Sequence, residues 1–117
     1  MMSPERWKIA ISDVVRNITN EEFQRTAWFG LSPTQISSPE ELLSQFLDDF
    51  DFNDFLNSSE LNLTPKQKAA GEVLKSKMES FADATPKHLD PQVVMDDARW
   101  KEIRIAAQAF LETLDER

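Results

Sequence analysis

Four oxygen-bearing side chains stand at the spacing of a calcium loop. Asp49, Asp51 and Asn53 fall at positions one, three and five of a twelve-residue EF-hand loop, and Glu60 falls at position twelve, where a bidentate carboxylate is needed. Leu56 supplies an apolar residue at position eight. The pattern breaks at position six, where Asp54 replaces the glycine that permits the sharp turn. Phe50 and Phe52 occupy loop positions that are usually exposed, and they extend the preceding apolar helical pattern instead. Two chemistries follow from this cluster. One is a metal-binding regulatory domain centred on Asp49, Asp51, Asn53 and Glu60. The other is a metal-dependent hydrolase using the same carboxylates. Both stand as alternatives to a protein-binding role, and the missing glycine predicts that calcium does not bind.

Other catalytic chemistry fails on inventory. The chain has no Cys and no Tyr, and its one His, His88, sits in a loop-like stretch without an identified nucleophile. Gly30 and Gly71 are the only glycines, so no phosphate-cradling loop exists. We therefore assign no catalytic residue, no metal ligand and no cofactor, and expect a protein that is not an enzyme.

Charge is more informative. The net charge of -8 argues against nucleic acid as a ligand, because neutralising phosphates requires a basic surface. Between Thr26 and Pro65 there is no Lys or Arg, yet seven carboxylates occur there: Glu40, Glu41, Asp48, Asp49, Asp51, Asp54 and Glu60. The rest of the chain is nearly balanced. Concentrating like charge costs self-repulsion, which a positively charged partner relieves. Asp48, Asp49, Asp51, Asp54, Glu40 and Glu41 are the candidate partner-binding residues on this ground. Trp28, beside Phe29 and Gly30 at a helix end, either staples the following loop inward or anchors an interface. The N-terminus lacks the apolar run of a signal peptide and no stretch is long enough to span a bilayer, so a cytoplasmic protein without membrane contact is expected.

These residues must be positioned by helices. An apolar share of 40% in 117 residues, with eight Phe and three Trp, supports one core in an all-α single domain over 1–117, with about five or six short to medium helices. Ser3-Pro4-Glu5 opens the first, with Trp7, Ile11, Val14 and Ile18 on its apolar face. Thr19 and Glu22 form a capping box for a short helix that Gly30 ends in the left-handed conformation. Ser38-Pro39-Glu41 starts a helix with Leu42, Leu43, Phe46, Leu47 and Phe50 on one face, which 51–56 either continues or follows as a separate turn. Asn57-Ser58-Ser59 reads as a loop. Thr64-Pro65-Gln67 starts a long helix with Ala70, Val73, Leu74, Met78 and Phe81 inward, in which Gly71 is tolerated at a cost of about 1 kcal/mol. Thr85-Pro86 interrupts, Asp90-Pro91 begins a short helix, and Asp96 or Asp97 caps the last, whose face carries Trp100, Ile103, Ala107, Phe110, Leu111 and Leu114. Trp7 and Trp100 are expected in the core.

Three stretches carry a family resemblance: Phe23-Gln24-Arg25-Thr26-Ala27-Trp28-Phe29-Gly30, Phe46-Leu47-Asp48-Asp49-Phe50-Asp51 and Arg99-Trp100-Lys101-Glu102-Ile103. In order and spacing, over roughly 20–114, the chain resembles bacterial contact-dependent growth inhibition immunity proteins. Asp97-Ala98-Arg99 lead into Trp100 where that family has a Thr-Pro start. The resemblance implies a small cytoplasmic protein that binds and neutralises the C-terminal toxin domain made from the same locus, often a nuclease with a basic cleft.

Overall fold

A hydroxyl or carboxylate followed by proline starts four of the helices, since proline has the backbone angle of the first helical residue and no N–H to leave unpaired. In the computed structural model, which describes residues 3–34, 37–85 and 90–115, Ser3 caps α1 (Pro4–Thr19) and Ser38 caps α3 (Pro39–Ser44). Thr64 caps α5 (Pro65–Ala84) and Asp90 caps α6 (Pro91–Asp96). Thr64 and Gln67 complete a reciprocal capping box: Thr64 N–H donates to Gln67 Oε1 at 2.8 Å and Gln67 N–H to Thr64 Oγ1 at 3.1 Å. Between them lie α2 (Glu21–Trp28), a π-helical turn (Gln45–Asp49) continuing α3, α4 (Phe52–Asn57) and a 3-10 turn (Ser59–Leu61). The last helix, α7 (Ala98–Asp115), starts where Asp97 Oδ1 accepts from the Arg99 backbone N–H at 2.8 Å. The fold is all-α, with no strand among the described residues.

The long helices make the frame. α5 packs along α7, and α1 lies against α7 in turn. Ile11, Val14 and Ile18 of α1, Leu74, Met78 and Phe81 of α5, and Trp100, Ile103, Ala107 and Phe110 of α7 are all buried in one core. The short helices contribute aromatic wedges. Phe46 stacks on Phe52 with ring centres 4.2 Å apart, and Phe52 meets Phe110 edge-on at 5.3 Å. Trp100 is fully buried as its spacing requires, and Trp7 is half-buried, edge-on to Phe55 at 5.5 Å.

Several local expectations are corrected. Asn20, not Thr19, caps α2, accepting from the Phe23 N–H at 2.9 Å, while Thr19 Oγ1 donates back to the Arg16 carbonyl as the last residue of α1. Gly30 does end α2 at φ +68°, and the Leu31 N–H reaches back to the Thr26 carbonyl at 3.0 Å. Val73, expected inward, is 51% exposed, because the α5 face toward α7 centres on Leu74 and Met78. Gly71 sits at a close approach: a Cβ there would meet the Leu56 methyls and lie 3.2 Å from Phe110 Cε1, so the Leu56 side chain would have to shift to admit it. It is the point where α4 and α7 both come close to α5. His88 lies outside the described residues.

Candidate interaction surface

The acidic stretch has one buried and one exposed side because its apolar residues all turn inward. Leu42, Leu43, Phe46, Phe52, Phe55 and Leu56 are buried, leaving Glu41, Asp48, Asp49, Asp51, Asp54 and Glu60 exposed. Glu40 is the exception, half-buried, with Oε1 sealed from solvent and lacking a hydrogen-bond partner among the described residues.

Backbone geometry shapes this surface in two places. The helix from Pro39 widens into the π turn, in which the Phe50 N–H reaches the Gln45 carbonyl at 2.9 Å. Glu41 lies in α3 and Asp48 and Asp49 at the end of the π turn that continues it, so the acids are spread along the stretch. Asp51 then takes the left-handed conformation, φ 44°, and caps α4 by accepting from the Asp54 N–H at 3.4 Å. This break separates α3 from α4 and answers the question left open for 51–56. It also brings two carboxylates together: Asp51 pushes Asp54 above the ordinary aspartate range, through a hydrogen bond between their side chains and then through like-charge repulsion.

Carboxylates elsewhere are treated differently. Arg25 holds Glu21 below its ordinary range by a 2.6 Å hydrogen bond, with Arg104 adding attraction. Arg99 does the same to Asp97 by a two-pronged contact at 2.7 to 3.2 Å. Pairs Asp13–Arg16, Glu72–Lys75 and Glu102–Lys77 complete a set that lies wholly outside 26–65. Among the described residues, none of the seven carboxylates between Thr26 and Pro65 makes an ion pair.

The calcium-loop spacing does not become a calcium loop. Asp49 ends the π turn, Asn53 lies in the first turn of α4 and accepts from Lys75 Nζ at 2.9 Å, and Glu60 lies in the 3-10 turn. The six residues of α4, with Phe52, Phe55 and Leu56 buried, occupy the span that a ligand loop would need. Among the described residues, no group of three or more His, Asp or Glu side chains is arranged to hold a metal ion.

Family models, curated proteins and solved structures were compared with the chain, and none matches.

Trp28, offered as an interface anchor, is turned inward. It is 8% exposed, and its ring lies 5.7 Å from that of Trp100. The apolar side chains presented at that corner are Phe29 and Leu31. The residue that sequence reasoning missed is Gln24, fully buried between α1, α2 and α7. Its Nε2 donates to the Asn17 and Ile18 carbonyls at 2.8 and 2.7 Å, closing the end of α1, and its Oε1 accepts from Trp100 Nε1 at 3.1 Å. One polar residue thereby satisfies two terminal carbonyls and the buried indole. Its position between Phe23 and Ala27 on the inward side of α2 was the available signal. No helix among the described residues is long and apolar enough to cross a membrane.

Proposed function

We propose that this chain is a noncatalytic immunity protein: it binds a basic toxin domain made from the same locus and neutralises it, through the acidic strip running from α3 to α4. The observation that carries this reading is the unpaired state of the strip. Glu41, Asp48, Asp49, Asp51 and Asp54 face solvent without ion pairs among the described residues, whereas most Lys and Arg contacts neutralise acids on the other helices. A basic surface docking there gains attraction and relieves repulsion already present, which accelerates encounter and selects the partner. A nuclease cleft, basic because it binds phosphates, fits this requirement, and the family resemblance of the sequence agrees with it. The cytoplasm is the compartment in which such a protein meets its toxin.

The experiment is coexpression with the C-terminal domain of a large secreted protein encoded beside this chain. The parent protects the cells. Asp48→Lys with Asp49→Lys, joined by Asp51→Asn to keep the left-handed cap, reduces protection while the thermal transition is retained. Full protection by this folded variant removes the acidic strip from the mechanism.

A further inference from the structure

We propose that two copies of this chain pair through the outer faces of α5 and α7, each α7 lying antiparallel over the other copy's α5 so that Ile105 enters the groove between that copy's two helices. The contacts between α5 and α7 set the groove. Gln67 Nε2 donates to the Thr113 carbonyl at 3.1 Å and Lys77 meets Glu102 at 3.7 Å, so the two helices run antiparallel, side by side. Ala69, Ala70 and Val73 of α5 face Ala109 of α7 across an open hollow of about 420 Å³. Val73 is 51% exposed there, and Ile105, on the same face of α7 one turn before Ala109, is 71% exposed. These are β-branched apolar side chains on long, well-packed helices, and the fold leaves both uncovered.

Charge complementarity selects a second copy as the occupant. Both helices pass from basic to acidic along their length: Lys66 and Lys68 lie at the start of α5 and Glu79 and Asp83 near its end, while Arg99 and Lys101 start α7 and Glu112 lies near its end. The helix dipole favours the reverse order, and neither helix has an acid in its first turn or a base in its last, so this order does not serve the helices themselves. Two such helices laid antiparallel bring opposite signs together at both ends. Within the chain, Lys77–Glu102 uses this along the shared edge, whereas Glu79 and Lys101 are exposed and make no ion pair among the described residues. In the register set by Gln67–Thr113 and Lys77–Glu102, Lys101 of one copy comes level with Glu79 of the other, and Glu112 with the end that carries Lys66 and Lys68. The contact is its own complement, as a two-fold interface requires.

The chain's excess negative charge does not oppose this pairing. α5 holds four Lys against three acids, and α7 three basic residues against three acids, so the paired face is close to neutral in a molecule of net charge -8. Gly71 turns toward Leu56 of α4, and Val73, two residues on, lies about 200° round the helix from it, which puts the acidic stretch on the opposite side of α5 from the paired face. The acidic side stays open in the dimer, and this inference stands apart from the partner proposed for it. A face about 30 Å long and two helices, or about 20 Å, wide buries about 1,200 Å² over both copies, the low end for a specific interface. A reversible dimer of micromolar strength is the expected result.

The test is sedimentation equilibrium of the full chain from about 1 μM to about 1 mM, which spans the expected dissociation constant. The parent shifts from monomer to dimer across this range. Ile105→Glu, at a position already exposed, keeps the urea midpoint and raises the dissociation constant about tenfold or more. Ile9→Glu, at an exposed apolar position on α1, leaves it unchanged. Lys101→Glu weakens the dimer, and Glu79→Lys added to it restores the parent value, because the exchanged charges meet across the two copies. A monomer at every concentration overturns the proposal. So does a dimer that Ile105→Glu leaves intact or that Ile9→Glu dissociates, since the copies then meet through another face. A charge exchange that fails to restore the dimer overturns the placing of α7 over α5.

Discussion

The α5–α7 pair and the stretch from Pro39 to Leu61 are built from the same apolar residues on the inside and follow opposite rules on the outside. α5 and α7 are long, their surfaces carry charges of both signs, and Lys77–Glu102 bridges them at 3.7 Å. The 39–61 stretch is broken into α3, a π turn, α4 and a 3-10 turn, and the charged residues on its outer side are all carboxylates. Surface ion pairs contribute little to stability, so α5 and α7 do not stand because of theirs, and the acidic stretch does not fall for lack of them. Burial of Phe46, Phe52 and Phe55 holds the second region in place. On its outer side Asp51 caps α4, and the other exposed carboxylates make neither a helix cap nor an ion pair among the described residues.

The sharpest way to break this contrast is to exchange the consequences of mutation in the two regions. Trp100→Ala removes a fully buried ring that touches Trp28 and Phe81, and the urea midpoint is expected to report a loss of about 3 to 5 kcal/mol. Gly71→Ala, which improves helix propensity, is expected to destabilise by about 1 to 3 kcal/mol because the added methyl enters the Leu56 and Phe110 side chains. A gain in stability would show that α4 can move off α5 and that the underside of the acidic stretch is loosely held. Gln24→Leu keeps the volume but strands Trp100 Nε1 and two helix-end carbonyls, for a cost of about 1 to 3 kcal/mol in the same assay.

Substitutions on the acidic side fall at the other end of the scale. Asp48→Lys with Asp49→Lys is expected to leave the urea midpoint within about 0.5 kcal/mol of the parent, since both side chains are exposed and neither makes an ion pair. A large loss would mean that these carboxylates serve the fold. The smallest effect is in titration. Carboxyl chemical shifts should show Asp54 titrating above Asp97, with Asp51→Asn lowering Asp54 toward the ordinary range. The signs oppose each other. Asp97, depressed by Arg99, contributes stability above its unfolded pKa that is lost as pH falls through its folded value. Asp54, raised by Asp51, binds its proton more tightly when folded, so its contribution becomes unfavourable as pH rises from the unfolded value through the folded one.

The two regions also differ in how much the sequence discloses. Helix starts were legible wherever a cap preceded proline, at Ser3, Ser38, Thr64 and Asp90, because these signals are local. The inward faces of α1 and α7 were legible from their spacing. Gly71 and Gln24 were not, because their roles depend on helices distant in the chain: one on the approach of Leu56 and Phe110, the other on the indole of Trp100. In the acidic stretch, composition located the candidate surface, but spacing alone suggested a calcium loop. What cancels that loop is tertiary: Phe52, Phe55 and Leu56 gain more from burial as a helical turn than a loop could return. Trp28 was ambiguous for a similar reason, since only the position of Trp100 decides which way it turns.

We propose that the outer side of 39–61 meets a basic protein surface. The most direct test of this claim is the association rate constant with the toxin domain from the same locus, measured by stopped flow over a range of ionic strength for the parent and for the folded variant carrying Asp48→Lys and Asp49→Lys. The expected result is a parent rate that falls steeply with added salt and a variant rate about tenfold or more lower at low salt, converging on the parent as screening grows. Equal rates with equal salt dependence would contradict the claim and place the contact elsewhere on the molecule.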